Sequence, residues 1–346
     1  MELHANGTKV NETSSPETLT RSDAARAIAL CRTGAVGDGV ALYRRALKSQ
    51  FAWFLPVGMH LKMLESLGLH DAAAIIRRSA LATGVDICFS AVAGRPPAVI
   101  VEEYRSLFAE GLINATMVAS FLVALSKLGV RDELAALLDP SRLFCMTQVG
   151  EFAAWHWKSL KRVLLEAEAD DTWQEAALSV RKMHYIKLSR HPNPLVKATL
   201  AEIDQRAAHY VENWTKSDHV ISKWVPRTFR VSHWAMISHG DGYNVPHIHS
   251  KGWITGVLYV AGPDRAEAED GSPGALRIGP PSQVADSTGW PDITVAPTPG
   301  TLVLMPSYYT HWTVPLGRPG LRISIAFDVI DLRDDPDQDS GLPPNA

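Results

Sequence analysis

The chain has 346 residues, 46% hydrophobic and 21% charged, with 34 basic against 37 acidic side chains and a formal net charge of −3. That composition excludes a wholly disordered chain, and it lacks the basic excess of a general nucleic-acid binder. No stretch approaches the roughly eighteen uninterrupted apolar residues of a membrane span, and the opening MELHANGTKVNETSSPETLTRSD is polar, without the apolar centre of a secretory signal. The expectation is a cytoplasmic protein of about two domains, with no nucleic-acid or membrane partner and a disordered tail over residues 1–20.

Residues 21–171 read as a helical domain, rich in Ala and Leu at helical spacing. Within it, GAVGDGVALYRRAL from Gly34 and GLHDAAAIIRRSAL from Gly68 align at a fixed offset, placing Arg44 on Arg78, Ala46 on Ala80 and Leu47 on Leu81. The offset equals the period of tetratricopeptide helix pairs, which bury their apolar faces by stacking. An ordinary bundle with a chance match would also give stacked helices. LVALSKLGVRDELAALL (122–138) is a looser echo of the repeat, and FAAWHWKSLKRVLLEA (152–167) and PLVKATLAEIDQRAAHYVENW (194–214) continue the helical pattern. The three cysteines, Cys31, Cys88 and Cys145, form no CxxC pair, so neither a zinc ribbon nor a disulfide framework is indicated. They read as small buried hydrophobes in a reducing compartment.

Near residue 215 the texture changes. Most of the 22 prolines lie beyond residue 190, and β-branched runs begin to alternate with turn residues. Strands are predicted over 229–238, 253–260, 275–280, 292–297, 301–306 and 321–330. Short strands at this spacing form a sandwich or barrel. The predicted architecture is therefore a two-domain α + β protein, with a helical repeat or bundle followed by a β domain over 172–332 that includes its leading helices. The acidic, Pro-rich residues 333–346 read as a second disordered tail.

The β half holds a group of residues suited to metal chemistry. His247 and His249 stand two apart in NVPHIHSKGW, and alternate residues of a strand face one side. His311 follows the strand TLVLMP. Three imidazoles suit a divalent iron and leave coordination positions open. Taken alone, the HxH pair is equally an accident of surface histidines. Arg322 adds weight, because it sits with Ser324 inside the apolar strand LRISIAFDVI, where a charge is costly unless paired. A guanidinium matches a carboxylate in bidentate fashion. The competing reading pairs Arg322 with an acidic side chain at the barrel rim.

The segments HIHSKGWITGVLYVAGP, PGTLVLMPSYYTHWTVP and RISIAFDV resemble the iron(II)/2-oxoglutarate-dependent dioxygenases, within them a bacterial and phage branch some of whose members follow TPR-like helical repeats, and more distantly the prolyl 4-hydroxylases. The resemblance covers roughly residues 180–332. It implies a double-stranded β-helix of the jelly-roll, cupin-like kind, with Fe(II) as metal and 2-oxoglutarate and O2 as cosubstrates. His247 and His311 would be iron ligands with His249 as the third. Arg322 and Ser324 would hold the far carboxylate of 2-oxoglutarate, and Tyr259 would hydrogen-bond that cosubstrate. Tyr243, Asn244 and Trp253 are weaker candidates for the substrate rim. The implied reaction is hydroxylation of an unactivated C–H bond of a peptide, protein or small molecule, coupled to decarboxylation of 2-oxoglutarate to succinate.

One position departs from the pattern. The family commonly carries His-x-Asp or His-x-Glu, whereas this chain has His249. His249 can ligate, turn away and leave two protein ligands, or hydrogen-bond the substrate. A three-histidine cupin-type dioxygenase that does not use 2-oxoglutarate is one alternative. A non-catalytic TPR-like scaffold that binds another protein is a second. The oligomeric state is not legible.

Overall fold

The computed structural model describes residues 16–48, 55, 57–82, 96–150, 152–170, 180–263, 273–316 and 320–332. Cys88 lies outside these, as do residues 1–15 and 333–346 of the expected tails. The chain divides into two compact units, Met1–Ser90 and Ala91–Ala346. The boundary expected between residues 171 and 172 falls in 171–179, also outside the described residues.

In the first unit, helices α1 (Pro16–Arg32), α2 (Val36–Leu47), α3 (Val57–Ser66) and α4 (His70–Ala82) form two hairpins. The first helix starts within the stretch expected to be a tail. Within the hairpins α1 packs on α2 and α3 on α4; between them α2 meets α4 and α1 meets α3. The repeat seen in the sequence has a structural counterpart at the turns. Gly34 (φ 92°) and Gly68 (φ 75°) both take the left-handed conformation that ends a helix without a Cβ penalty. Between the hairpins, the buried Tyr43 hydroxyl lies 2.7 Å from His60 Nδ1.

The second unit opens with α5 (Pro97–Ala109), α6 (Ala115–Leu128), α7 (Arg131–Leu137) and the short α8 (Pro140–Leu143). The looser echo of the repeat at 122–138 covers the end of α6 and the whole of α7. Asn114 caps the start of α6, its side chain accepting from Met117 N–H, and Gly129 ends that helix at φ 70°. Then come β1 (Cys145–Gln148), α9 (Ala154–Asp170), β2 (Val180–Lys187), α10 (Pro194–Thr215) and a 3-10 turn at Val220–Lys223. The remaining strands are β3 (Phe229–Asn244), β4 (Ile254–Ala261), β5 (Leu276–Ile278), β6 (Ile293–Val295), β7 (Thr301–Pro306), β8 (His311–Thr313) and β9 (Leu321–Asp331).

These strands form two antiparallel sheets, one of six strands in the order β1-β7-β4-β9-β3-β2 and one of three in the order β6-β5-β8. The result is a helical region followed by an antiparallel β domain resembling a jelly roll, as expected. Three details differ. The third strand continues past residue 238 to Asn244, with a register shift in its pairing to β2. The edge strands β1 and β2 come from stretches not read as strands, and β1 was assigned to the helical half. Among the described residues no helix is long and apolar enough to cross a membrane.

The large sheet is covered on one face by helices. Its central strand β9 shows both faces: Ile323, Ile325, Phe327 and Val329 are fully buried on one side, and Arg322, Ser324, Ala326 and Asp328 alternate with them on the other. The helical side is marked by Asp204 of α10, which reaches His233 on β3 at 2.8 Å. Helices α6 and α7 are tied to loops of the β domain. Arg131 donates to the Thr288 carbonyl at 2.7 Å and pairs with Asp286, and the Tyr308 hydroxyl donates to the Leu137 carbonyl at 2.9 Å.

Candidate metal centre

His247 and His249 lie in the connection between β3 and β4, not on a regular strand as expected. Their backbone is nonetheless held extended by neighbours. His247 and His311 form a lone antiparallel bridge, each N–H donating to the other's carbonyl at 3.0 Å. The His249 N–H donates to the Ser307 carbonyl, also at 3.0 Å. These bonds bring the three rings together. The centroid of His311 is 4.4 Å from that of His247 and 5.0 Å from that of His249, and the His247–His249 separation is 5.2 Å. One ligating atom from each lies within 4.8 Å of the other two. Among the described residues this is the one group of three His, Cys, Asp or Glu side chains so arranged.

The hydrogen bonds around the rings decide which nitrogen is free. His247 Nδ1 is 2.7 Å from the Val245 carbonyl and His311 Nδ1 is 2.9 Å from the Tyr309 carbonyl. A carbonyl only accepts, so each Nδ1 carries the proton and donates. His249 Nδ1 faces Asp328 Oδ1 at 2.6 Å and Thr255 Oγ1 at 3.0 Å. With each Nδ1 hydrogen-bonded, Nε2 is the nitrogen of each ring that faces no protein partner in these contacts and is left to a ligand. Burial keeps His247 and His311 neutral. It pushes His247 down to about 4, aided by the neighbouring His249, and pushes His311 well below the ordinary histidine value, aided by His247 and His249.

Along the same face of β9 lies a second polar group. Arg322 is fully buried, only 2% exposed. Its guanidinium donates to the Gly274 carbonyl at 3.2 Å and contacts the Met183 sulfur at 3.3 Å. The expected rival, an ion pair with an acidic side chain, is not found among the described residues. Burial lowers the Arg322 pKa, with Tyr259 acting in the opposite sense. Ser324 is buried two residues further along the strand, and its cross-strand neighbour on β4 is Tyr259. The Tyr259 hydroxyl is buried with no hydrogen-bond partner among the described residues, and its pKa is pushed up to about 12 by burial, partly offset by Arg322. An unbonded buried hydroxyl is costly, so both groups fit an anionic partner that accepts from them.

The weaker substrate candidates are placed unevenly. Tyr243 is half-buried near the end of β3, opposite Arg181. The Asn244 N–H donates to Thr313 Oγ1 at 2.8 Å, joining the end of β3 to the strand that begins at His311. Trp253 is buried, its N–H donating to the Val329 carbonyl, but the indole stacked on His249 belongs to Trp234, at 5.8 Å and 23°. Two residues beside His249 escaped sequence reasoning, Asp328 and Thr255. For Asp328 the signal was present: it is an acid in the same apolar strand as Arg322, six residues on and therefore on the same face.

Residues 232–328 match a family model described as "Putative 2OG-Fe(II) oxygenase". The matched stretch carries His247, His249, His311 and Arg322. Enzymes of the family so described use Fe(II), 2-oxoglutarate and O2, and the donor set fits them, with three imidazoles for the metal and a buried cation for the dianion. No curated protein sequence matches the chain. Similar solved structures include a prolyl-4-hydroxylase from Pseudomonas putida, at 15% identity over 57% of this chain and 98% of that one, with a TM-score of 0.42. A prolyl hydroxylase from Trichoplax adhaerens, in complex with a peptide fragment of hypoxia inducible factor, matches at 13% over 63% and 96%, with a TM-score of 0.41. HygX from Streptomyces hygroscopicus, with nickel and 2-oxoglutarate bound, matches at 14% over 56% and 85%, with a TM-score of 0.35.

Proposed function

We propose that this oxygenase hydroxylates an unactivated C–H bond of a peptide, protein or amino-acid-derived substrate in the cytoplasm, with His247, His249 and His311 as its iron ligands. The observation that carries the ligand and cosubstrate assignment is the buried Arg322, without a carboxylate partner, on the sheet face that also carries the His249-bonded Asp328. When bound, the iron with 2-oxoglutarate and O2 supplies the oxidising chemistry, in which one oxygen atom enters succinate as CO2 leaves and the other enters the substrate.

The chain's own residues supply position and exclusion of water. Arg322 would offer a charge-assisted fork to the far carboxylate of 2-oxoglutarate, and the Ser324 and Tyr259 hydroxyls would donate to the same group. The three rings would present their Nε2 atoms to the metal. A peptide substrate draws support from the stacked hairpins α1–α4, since helical arrays of this type present surfaces that bind peptides. Asn244 and Tyr243 are the proposed rim contacts.

The test is 2-oxoglutarate binding by calorimetry to the anaerobic, metal-loaded protein. Arg322→Ala should weaken it by about 2–5 kcal/mol, the typical cost of breaking a desolvated charge pair, with metal affinity unchanged. An affinity within about threefold of wild type would show that the clamp is elsewhere. Succinate release under iron and O2, and a one-oxygen mass gain on candidate peptides, then test the reaction itself.

A further inference from the structure

A set of three imidazoles brings no negative charge to a divalent ion, and Asp328 lies beside it. Its Oδ1 is 2.6 Å from His249 Nδ1, with both side chains nearly buried. A carboxylate in that setting needs a partner, and the imidazole N–H is the one it has. Asp328 is not itself among the converging ligand atoms; it meets the His249 ring at Nδ1.

Three further contacts hold this pair. Thr255, the cross-strand neighbour of Asp328 on β4, donates its hydroxyl to the Phe327 carbonyl at 3.2 Å and so turns a lone pair toward His249 Nδ1 at 3.0 Å. Two acceptors therefore face one nitrogen, and only the Nδ1–H tautomer satisfies them. Trp234 stacks on the ring of His249. Gly252 closes over the carboxylate: a Cβ there would meet Ser307 Oγ at 3.0 Å and Asp328 Cβ and Cγ at 3.1 and 3.2 Å. The carboxylate is thus fenced in, with little freedom to swing away.

We propose that Asp328 is the positioning residue of the metal centre. It fixes His249 as the Nδ1–H tautomer with Nε2 toward His247 and His311, and it places one hydrogen bond from the ion the negative charge that the three-imidazole set lacks. Carboxylates behind a ligating histidine orient the ring and raise its basicity as a ligand. Here that partner also answers the departure of position 249 from a carboxylate. The inference rests on the three histidines being the ligand set.

The experiment is Co(II) binding to the full-length, metal-free protein under anaerobic conditions, followed by calorimetry and by the visible absorption of the bound ion. Asp328→Ala should weaken Co(II) binding about 10–100-fold, the usual effect of losing such a partner, and should alter the Co(II) spectrum. Asp328→Asn keeps the size but not the charge, and an amide can also present its NH2 to Nδ1. It should lose at least about fivefold on the same grounds. Thermal unfolding of each metal-free variant separates this from a merely structural role, which would lower stability and leave affinity and spectrum unchanged. If D328A does not fold, the D328N result decides. Co(II) affinities within threefold of wild type for the folded Asp328 variants, while His247→Ala and His311→Ala lose the ion, overturn the positioning role alone. If H247A and H311A also bind Co(II) like wild type, the ligand set is wrong and the inference falls with it.

Discussion

The two ends of the inner row on β9 handle buried polarity in opposite ways. At the Asp328 end every Nδ1 of the histidine cluster has an acceptor, from Val245, Tyr309 or Asp328, and the rings are left with one bare nitrogen each. At the Arg322 end a full positive charge is buried against one carbonyl and a sulfur, beside a tyrosine hydroxyl with nothing to bond. The first end is satisfied by the protein and therefore rigid. Among the described residues the second has no carboxylate partner, and an arriving anion would offset its desolvation. A protein that bound metal alone would have no use for the second end, and a simple anion binder would have no use for the first.

Three measurements test that contrast. The largest effect is expected for His311→Ala, which removes the most buried ring of the cluster. Metal retained after reconstitution and desalting should fall by more than about 100-fold, as expected when one of only three ligands is lost. The Arg322 end should be untouched, so the variant should keep the wild-type fold by circular dichroism. Retained stoichiometric metal would break the contrast outright.

An intermediate effect concerns acid stability of the metal-free protein. His247 stays neutral in the folded state down to about 4, whereas an unfolded histidine protonates near 6.5. Between those values the unfolded chain binds a proton that the folded one does not, so stability falls as pH drops from 6.5 toward 4. The contribution is on the order of 3 kcal/mol for this residue. Urea midpoints at pH 7 and pH 4.5 should drop less in His247→Gln than in wild type, and equal drops would place the acid sensitivity elsewhere.

The smallest effect is Tyr259→Phe. Without 2-oxoglutarate, removing an unpaired buried hydroxyl should leave stability unchanged or raise it by up to about 1 kcal/mol. With metal present, 2-oxoglutarate affinity should fall by about 1 kcal/mol, the value of one hydrogen bond. A loss of stability in the free protein would mean that the hydroxyl is already satisfied, and the distinction between the two ends would narrow.

Much of this was legible in the sequence. The interior strands β4 and β7 are largely apolar and β9 keeps one wholly apolar face, so all three announced themselves, as strands of a sheet covered by helices should. The edge strands β1 and β2 did not. Cys145–Gln148 is four residues of mixed polarity, and Val180–Lys187 carries Arg181, Lys182, His184 and Lys187, the charged texture by which exposed edges avoid pairing with other chains. At the site, the i, i+2 spacing of His247 and His249 pointed to convergence, although a bridge and a loop contact achieve it instead of a strand. Arg322 was found as a charge in an apolar run. Asp328 obeyed the same rule in the same run and was passed over, since no sequence pattern says which neighbour it will meet.

The first strand also sets a schedule for synthesis. Gln148 pairs with Thr301, 153 residues later. At ribosomal speeds of about 5–20 residues per second, roughly 8 to 30 s pass between the appearance of β1 and that of its partner. Helices α5–α8, built from contacts close in sequence, can form in that interval and hold the nascent strand in waiting. The large sheet can close only once β9 has followed β7 off the ribosome, and a ribosome stalled before residue 301 would present an unpaired edge to every other nascent chain nearby.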